Sequence, residues 1–539
     1  MNLNLYGHAG QWLMVDCGVT FNSPLSPQYN TAAGSGQNAE ILAADPTFIS
    51  QQKDNLCGIV ITHAHEDHIG AVPYFAGELG VPLYATPFTA DLVARKLEEA
   101  GLLGKVEIVI IEEDHGEIEL GPFTITYLPL AHSIAEGNAL LIDTPHGRIF
   151  HTGDWKLDDD PIIGEPTTEE ELREIGDEGV LALVCDSTNV FNPNPSGSEG
   201  AVHRALMEEV ARHTGKRVVV TTFASNVARL QTLGEVARET GRQICVAGRS
   251  LDRIIEVAQD NGYLADFPKP VSFDTAMGLP RGEVLIIATG GQGEPRAALG
   301  RMADMNHPIE LVAGDVVLFS SRQIPGNEIP IGKIQNQLAA RGIQMVTDRQ
   351  ALIHVSGHPC RDELRRMYMW AKPQIAVPVH GERRHMAEQA RFGLQQGISK
   401  AIVQSNGDVV RLAPGEPKII GKERTGRLIL DGDTIIAADG ATLNERRRLS
   451  WYGLISVAFA LDAKDRMLGS PQIRLHGVPI EEDLEDFLEE SSSAAAKAVK
   501  DHRGDYDKLR ETVRLAVRRV AVSWTGKKPI VDVLIVETA

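Results

Sequence analysis

The run Thr62-His63-Ala64-His65-Glu66-Asp67-His68 follows an apolar, strand-like segment from Cys57 to Thr62 and precedes a helix predicted over Ile69 to Gly80. If the strand stays extended, the first two histidines of the run project to one side, because alternate side chains of a strand share a face. Its last aspartate and histidine are then expected in the following turn. Strand, ligand cluster and helix in this order place the cluster at the carboxyl end of a strand, where open α/β sheets bind ligands.

The mixture of imidazole and carboxylate donors in this run suits zinc, or manganese where carboxylate and water ligands predominate. A surface loop that is rich in histidine and aspartate by chance is the competing interpretation, and the density of the run argues against it. His132 and Asp154 also follow strand-like runs. Each alone is typical of an ordinary loop residue, but their shared position at strand ends makes both candidate ligands.

The composition indicates a multidomain, folded α/β protein. A chain of 539 residues is too long for one ordinary domain, and 43% hydrophobic with 23% charged residues is typical of a globular enzyme. The net charge of −20 argues against a protein that coats nucleic acid through its overall charge, so any contact with nucleic acid has to be local.

Cysteine usage and hydropathy predict a cytoplasmic protein. The five cysteines are widely spaced and lack a Cys-x-x-Cys pair, so we expect free, buried thiols. The first residues lack a basic region followed by an apolar one, and no run of about 18 apolar residues predicts a membrane span.

Strand and helix patterns divide the chain into four parts. A layered α/β pattern extends to about residue 198, and a second strand-helix rhythm, suited to a mostly parallel sheet, looks like an insertion. Histidine-bearing turns resume after about residue 355, and a small α/β domain is predicted at the end. The expected boundaries are 1–198 and 356–448 for the two parts of the first domain, 199–355 for the inserted domain and 449–539 for the last domain.

These residues resemble the motif of the metallo-β-lactamase superfamily, His-x-His-x-Asp-His followed by a later His and a later Asp. The resemblance implies an αββα sandwich and two divalent ions, with zinc favoured and manganese an alternative. It implies that His63, His65 and His132 hold one ion, that Asp67 and His68 hold the other, and that Asp154 bridges them. The last ligand implied is His380, in Val379-His380-Gly381-Glu382. A two-metal centre of this kind can activate water for phosphodiester hydrolysis.

The long insertion between Asp154 and His380, followed by His354-Val355-Ser356-Gly357-His358, resembles the β-CASP nuclease branch. In that branch an acid after the next strand pairs with a later histidine, which implies a pair of Asp186 and His358. His358 would protonate the leaving oxygen, oriented by Asp186. The predicted catalytic residues are therefore Asp67, Asp186 and His358.

Several further strings are similar to those of the bacterial ribonuclease J family, including Thr289-Gly290-Gly291-Gln292-Gly293-Glu294-Pro295 and Ile324-Pro325-Gly326-Asn327-Glu328. The resemblance implies 5′-to-3′ exonuclease activity that prefers a 5′-monophosphate on single-stranded RNA, endonuclease activity, a role in RNA maturation and decay, and a homodimer or homotetramer. Hydroxyl, guanidinium and backbone groups are predicted to bind phosphate. The predicted substrate-binding residues are Phe223, Ala224, Ser225, Asn226, Arg249, Ser250, His354, Val355, Ser356, Gly357 and His358.

Plain turn glycines are an alternative interpretation of Gly248, Gly290 and Gly291. Two other functions also remain open from the sequence: a β-CASP nuclease that acts on DNA ends, and a non-catalytic RNA-binding scaffold that has kept the fold. The family usually has a Gly-Glu-Ile-Gly-type segment before the counterpart of Met1-Asn2-Leu3-Asn4, so the chain is expected to begin inside the first strand, with an incomplete sheet edge.

Overall fold

The apolar runs of the chain form strands and the segments between them form helices, in a computed structural model that describes residues 1–21, 41–112, 116–294, 296–324, 326–500 and 505–537. Pro295 and Pro325, each part of a string singled out above, lie outside the described residues. The chain divides into two compact units. One comprises Met1–Thr20 and Ala43–Thr425, and the other comprises Phe21–Leu42 and Gly426–Ala539.

The part of the chain before residue 199 contains twelve strands and five α-helices among its described residues. They are β1 (Asn4–His8), β2 (Gln11–Val15), β3 (Val19–Phe21), β4 (Ile41–Ala44), α1 (Thr47–Gln51), β5 (Leu56–Val60), α2 (Glu66–Ile69), α3 (Val72–Leu79), β6 (Leu83–Ala85), α4 (Pro87–Glu99), β7 (Ile108–Ile110), β8 (Glu117–Leu120), β9 (Phe123–Pro129), β10 (Asn138–Thr144), β11 (Gly147–His151), α5 (Glu169–Glu178) and β12 (Ala182–Asp186).

The inserted segment alternates strands and helices. Its elements are α6 (Glu199–Arg212), β13 (Val218–Thr221), α7 (Val227–Glu239), β14 (Gln243–Ala247), α8 (Arg249–Asp260), α9 (Phe273–Gly278), β15 (Val284–Ala288), α10 (Ala298–Ala303), β16 (Val316–Phe319), α11 (Glu328–Ala340) and β17 (Gln344–Val346). The chain then returns through α12 (Arg361–Ala371), β18 (Ile375–Val379), α13 (Arg383–Gln395), β19 (Lys400–Ala401), β20 (Asp408–Arg411) and β21 (Lys418–Lys422).

Two sheets form the layered core of the first unit, in the spatial orders β1-β2-β5-β6-β7 and β19-β18-β12-β11-β10-β9-β8. One apolar cluster fills the space between the sheets, with Leu13 and Val60 from the first and Ile125 and Val184 from the second. Helices α5, α12 and α13 cover the other face of the second sheet through a separate cluster, and α4 contacts β6 and β7 of the first sheet. The predicted αββα sandwich is confirmed.

The inserted segment forms its own sheet, in the order β14-β15-β13-β16-β17, in which every described pairing is parallel. Its strands read as continuous apolar runs such as Val284–Ala288, all five residues of which are buried. This pattern is typical of parallel strands with helices on both faces. The predicted inserted α/β domain is therefore present, whereas its exact boundaries at residues 199 and 355 stay a prediction.

The second unit contains β22 (Arg427–Asp431), β23 (Thr434–Ala437), α14 (Ala441–Tyr452), β24 (Leu454–Leu461), β25 (Met467–His476), α15 (Leu484–Lys500), α16 (Tyr506–Thr525) and β26 (Ile530–Glu537). Strands β25, β24 and β26 form a sheet in that order, and alternate residues of β24 pack with apolar residues of α15 and α16. A small α/β domain at the end of the chain is confirmed, and its boundary at residue 449 stays a prediction.

The secondary structure around the run from Thr62 to His68 differs from its prediction. Strand β5 ends at Val60 instead of Thr62, and Asp67 and His68 lie in the single-turn helix α2 instead of a non-helical turn. The predicted helix from Ile69 is interrupted, because α3 begins only at Val72 with Pro73 in its first turn, where proline is favoured. No helix in the described ranges is long and apolar enough to cross a membrane. Four of the five free cysteines are buried and Cys57 is half-buried.

Candidate metal centre

The carboxyl ends of neighbouring strands bring the candidate ligands together. Strands β11, β12 and β18 are parallel neighbours, so Asp154, Asp186 and His380 lie at the same edge of the second sheet. Strand β5 of the facing sheet leads directly into the run that carries His63 and His65. Residues that are far apart in the sequence therefore meet at one site.

Three histidines and one aspartate form the first ligand group, His63, His65, His132 and Asp154, with one potential ligand atom of each within 4.8 Å of the others. The Nδ1 atom of His65 lies 3.2 Å from Nε2 of His63 and 3.0 Å from Nε2 of His132. The three facing nitrogens converge on one point, which is the arrangement of a histidine-rich metal site.

Asp67, His68, Asp154 and His380 form the second ligand group, again with ligand atoms within 4.8 Å of one another. Nε2 of His380 lies 3.1 Å from Oδ2 of Asp67 and 3.3 Å from Oδ2 of Asp154. Nε2 of His68 lies 3.3 Å from the same Asp154 oxygen. Asp154 belongs to both groups, so its carboxylate would contribute to both sites if each held an ion.

The chemistry of the donor set fits divalent metal ions. Oδ1 of Asp154 is buried and has no hydrogen-bond partner among the described residues. Burial lowers the pKa of His63 well below its ordinary value and that of His65 to about 4, so both imidazoles are neutral near pH 7, as metal ligands have to be.

The second group favours a cation because carboxylates surround its histidines. Burial opposes a charge on His68, yet Asp154, Asp16 and Asp67 raise its pKa to about 10. Burial likewise opposes protonation of His380, but Asp154 and Asp186 raise its pKa well above the ordinary value. The carboxylates thus attract positive charge to the position that a metal ion would fill.

Each ligand histidine has a partner for the ring nitrogen that points away from the ligand group. Nδ1 of His68 lies 2.7 Å from the buried Asp16, and the hydroxyl of Thr62 bridges Asp16 and Nδ1 of His63. Such contacts fix the tautomer and ring orientation of a ligand histidine.

The backbone is strained beside the ligands. Asp16 has a φ of 63° and His380 a φ of 50°, in the left-handed region that non-glycine residues avoid. Residues persist in such conformations where the surrounding structure holds them, and they are found preferentially at functional sites. The metal centre is therefore preorganised by its scaffold.

Asp186 and His358 lie next to Asp154 and His380 in a third cluster. Nδ1 of His358 lies 2.7 Å from Oδ2 of Asp186. Burial opposes the charged form of His358, but Asp186 raises its pKa above the ordinary value. Burial would raise the pKa of Asp186, whereas the adjacent His358 and His380 lower it to about 2. The pair therefore favours the protonated form of His358 and the ionised form of Asp186.

Two polar residues of the centre were missed by the sequence reasoning. The Thr188 hydroxyl lies 2.6 Å from Oδ1 of Asp186 and 2.9 Å from Nδ1 of His380, so it can donate to the former and accept from the latter. The Asn2 amide lies 3.2 Å from Oδ2 of Asp67 and 2.9 Å from Nε2 of His68. Neither residue belongs to a motif that marks metal chemistry, so no local signal distinguished them.

The predicted substrate-binding residues of the inserted domain occupy two places. Phe223, Ala224, Arg249 and Ser250 line an open cavity of about 740 Å³. Ser225, the next residue along the chain, instead lies with Oγ 3.1 Å from Nε2 of the ligand His65. The Asn226 side chain is buried and caps α7 by accepting from the backbone N–H of Arg229.

The segment from His354 to His358 contacts the centre through its backbone and through His358. The Gly357 carbonyl accepts from Nδ1 of His132 at 2.5 Å. Ser356 Oγ accepts from the Asn189 amide at 2.7 Å. Val355 is buried, and Nδ1 of His354 is buried without a hydrogen-bond partner in the part of the chain described.

Comparison with known proteins finds matches along most of the chain. Residues 2–175 match the Metallo-beta-lactamase superfamily, 215–338 the Ribonuclease J, beta-CASP domain, 342–399 the Zn-dependent metallo-hydrolase RNA specificity domain, and 441–538 the Ribonuclease J C-terminal domain. Ribonuclease J of Sinorhizobium meliloti is 42% identical over 99% of this chain and 94% of its own length. The chain belongs to the ribonuclease J family.

A second relative and one solved structure show lower sequence identity to the chain. Ribonuclease J 1 of Streptococcus pyogenes is 32% identical over 98% of this chain and 94% of its own length. A crystal structure of a protein of unknown function from Enterococcus faecalis shares the fold, with a TM-score of 0.51, 15% identity, and coverage of 78% of this chain and 96% of its own. The predicted family is confirmed, and the family is one of metal-dependent ribonucleases.

Proposed function

We propose that the protein is a metal-dependent ribonuclease that degrades single-stranded RNA from a 5′-monophosphate end in the 5′-to-3′ direction and also cuts RNA internally. The observation that carries the proposal is the position of Asp154, which the two metal-ligand groups and the Asp186–His358 cluster share. A site for two ions therefore lies directly beside the hydrogen-bonded pair of Asp186 and His358. We further propose cytoplasmic RNA turnover as its setting.

Two divalent ions, when bound, would supply activation of water and stabilisation of charge on the phosphate oxygens. Zinc is the metal we propose, with manganese as the alternative, because histidine provides most of the first group. His63, His65 and His132 would hold one ion, Asp67, His68 and His380 the other, and Asp154 both. Thr62, Asp16 and Gly357 would keep three of the histidines in orientation.

His358 is proposed to donate the proton that the leaving oxygen needs. Its Nδ1 is occupied by Asp186, so Nε2 is the nitrogen that remains to donate. Hydrolysis that breaks the P–O3′ bond leaves a 3′-hydroxyl on the released nucleotide and a 5′-phosphate on the remaining RNA. The proton on His358 completes that 3′-hydroxyl. Each cut therefore creates the end that the next cut is proposed to require.

The cavity in the inserted domain supports recognition of a 5′-phosphate. It lies at the carboxyl ends of parallel strands, and Arg249, Arg296 and Arg301 line it together with the backbone of Gly290 and Gly291. Guanidinium groups bind phosphate through charge-assisted, often bidentate hydrogen bonds. Phe223 and Ala224 connect this cavity along the chain to Ser225 at the metal centre. A terminal phosphate bound here would hold the first nucleotide near the ligands.

The remaining predicted contacts stay proposals of the same kind. Ser250 would add a hydroxyl to the cavity, and Asn226 would act by capping α7 next to Ser225. His354, Val355 and Ser356 would shape the segment that presents Gly357 and His358. A homodimer or homotetramer is also proposed, and size-exclusion chromatography with light scattering would measure it.

Matched oligonucleotides test the substrate assignment. RNA with a 5′-monophosphate, the same RNA with a 5′-triphosphate and DNA of the same sequence would each be incubated with the Zn²⁺- or Mn²⁺-loaded protein. We expect mononucleotides to accumulate fastest from the monophosphorylated RNA. Equal rates for the two RNAs would contradict the end preference, and preferential cleavage of DNA would favour the nuclease of DNA ends instead.

A further inference from the structure

We infer that Ser225, a residue of the inserted domain, positions the metal ligand His65. The metal affinity of the first ligand group then depends on the position of the inserted domain relative to the αββα sandwich. The inference concerns metal binding by the free protein and goes beyond the proposed cleavage of RNA. It rests on a contact between two segments that are 160 residues apart.

The geometry assigns the two nitrogens of His65 to different partners. Nδ1 faces the other ligand nitrogens, 3.2 Å from Nε2 of His63 and 3.0 Å from Nε2 of His132. Nε2 lies 3.1 Å from Oγ of Ser225. If Nδ1 binds the ion, Nε2 carries the hydrogen, and Ser225 Oγ is the acceptor that fixes this tautomer.

Ser225 is held firmly by the inserted domain. It follows strand β13 and immediately precedes Asn226, whose side chain caps helix α7. The third residue of α7, Arg229, is fully buried, pairs with Glu199 at 2.9 Å and donates to the Ile353 carbonyl at 3.0 Å. The serine hydroxyl therefore moves with the sheet and first helices of the inserted domain.

The hydrogen-bond partner of His65 comes from a different domain than the partners of His63 and His68. Thr62 and Asp16, which hold His63 and His68, belong to the same sandwich as their histidines. His65 instead receives its contact from the inserted domain. If that domain moves away from the sandwich, the contact between Ser225 and His65 breaks while those of Thr62 and Asp16 remain. The docked position of the inserted domain and metal binding are then thermodynamically linked: docking raises metal affinity, and bound metal favours docking.

The hydroxyl also retains a function toward substrate. An oxygen that accepts from His65 still has its own O–H to donate, because a hydroxyl is both donor and acceptor. The same serine can therefore serve His65 and a phosphate at once. Only this extension rests on the proposed function, and it is separable from metal binding by working without RNA.

Zinc affinity of the Ser225→Ala variant tests the inference. The full chain, stripped of metal, would be titrated with Zn²⁺ against a chromophoric chelator in the absence of RNA. For Ser225→Ala we expect one of the two zinc equivalents to bind at least about 10-fold more weakly, which is the typical cost of removing the hydrogen-bond partner of a metal ligand. Ser225→Thr keeps the hydroxyl, so we expect it to bind zinc as the wild type does. Ser272→Ala is the matched control, because it removes an exposed capping hydroxyl of the same domain far from the ligands.

A second measurement reports His65 directly. In protein labelled with ¹⁵N-histidine and loaded with Zn²⁺, the Nε2–H proton of His65 should be protected from exchange in the wild type and lost to exchange in Ser225→Ala. Unchanged affinity for both zinc equivalents in Ser225→Ala would overturn the inference, and so would an equal loss in Ser272→Ala. Weaker RNA binding by Ser225→Ala with unchanged zinc affinity would also overturn it while leaving the proposed function intact.

Discussion

A side chain at position 357 would collide with Ser133 and with the metal ligand His132, so this position requires glycine. A β-carbon at Gly357 would lie 2.9 Å from two atoms of the His132 ring and 2.7 Å from Oγ of Ser133. The backbone carbonyl of the same residue accepts from His132. The glycine thus orients a metal ligand, in addition to its predicted place among the substrate-binding residues.

We expect Gly357→Ala to displace His132 and to lower kcat by about 10²-fold, the cost typical of misplacing a catalytic group by about 1 Å. Steady-state cleavage of a monophosphorylated RNA would measure it. Gly278→Ala is the control, because nothing lies within 4 Å of its added carbon. Equal activity of the two variants would show that His132 tolerates the displacement.

The Asp186–His358 pair predicts the pH dependence of cleavage. A proton donor has to be protonated, so activity falls as pH rises through the pKa of His358, which Asp186 raises. Asp186→Asn removes that charge, and we expect the alkaline limb of the kcat profile to shift to lower pH by about one unit. If kcat falls equally at every pH and the alkaline limb does not move, Asp186 has a different role.

How well the site was predictable depends on how its residues are spaced. His63 to His68 form a dense local motif, and His132 and Asp154 share its position at strand ends. His358 and His380 lie beyond the long insertion, so only the family resemblance pointed to them. Thr188 and Asn2 contact the ligands through ordinary hydroxyl and amide groups, and their roles depend on tertiary structure alone.

At the level of elements, a buried ion pair joins the first helices of the inserted domain. Arg229 of α7 and Glu199 of α6 are both buried and lie 2.9 Å apart. Arg229 also donates to the backbone carbonyl of Ile353, just before the segment that carries His358. The pair therefore supports the shape of the site as well as the stability of the domain.

We expect Glu199→Gln to lower the free energy of unfolding by about 3–5 kcal/mol, because it leaves the Arg229 guanidinium buried without its counter-ion. Urea denaturation would measure the change. Arg95→Ala is the comparison, since its pairs with the exposed Glu256 and Asp260 should contribute less than about 1 kcal/mol each. Similar losses in the two variants would contradict the assignment.

Helices and strands were predicted correctly where the apolar residues of a segment follow one clear pattern. The strand-helix rhythm of the inserted segment was predicted, because continuous apolar runs such as β13 and β15 alternate there with helical patterns. Strand β24 was missed, although its residues alternate between buried and half-buried positions. It follows helix α14 after a single glycine, so its start carries little turn signal. The split between α2 and α3 depends on Pro73, which begins a new helix instead of continuing the first.

For the whole molecule, the net charge of −20 requires that RNA be bound by a local concentration of basic groups. The cavity in the inserted domain is lined by Arg249, Arg296 and Arg301 and by two acidic residues, Asp252 and Glu294, so basic groups outnumber acidic ones there. Binding that depends on these few cations should weaken with salt in proportion to the number of phosphates they contact.

Arg249→Ala should weaken binding of a monophosphorylated RNA and reduce the slope of log K against log salt concentration by about 0.7, the value for one phosphate contact to a single strand. Fluorescence anisotropy at several salt concentrations would measure both. Arg238→Ala is the control, because it lies in the last turn of α7, away from the cavity. An unchanged slope in Arg249→Ala would remove the cavity from the proposed path of the RNA.

The most direct test of the account is cleavage by Asp154→Asn, since Asp154 is common to every ligand group of the centre. Wild-type protein and the variant would be incubated with Zn²⁺ or Mn²⁺ and a 5′-monophosphorylated RNA, with products resolved by size and RNA binding measured in parallel. We predict mononucleotides from the wild type, and RNA binding without cleavage for the variant. Cleavage by Asp154→Asn at the wild-type rate would contradict the claim that this centre cuts RNA.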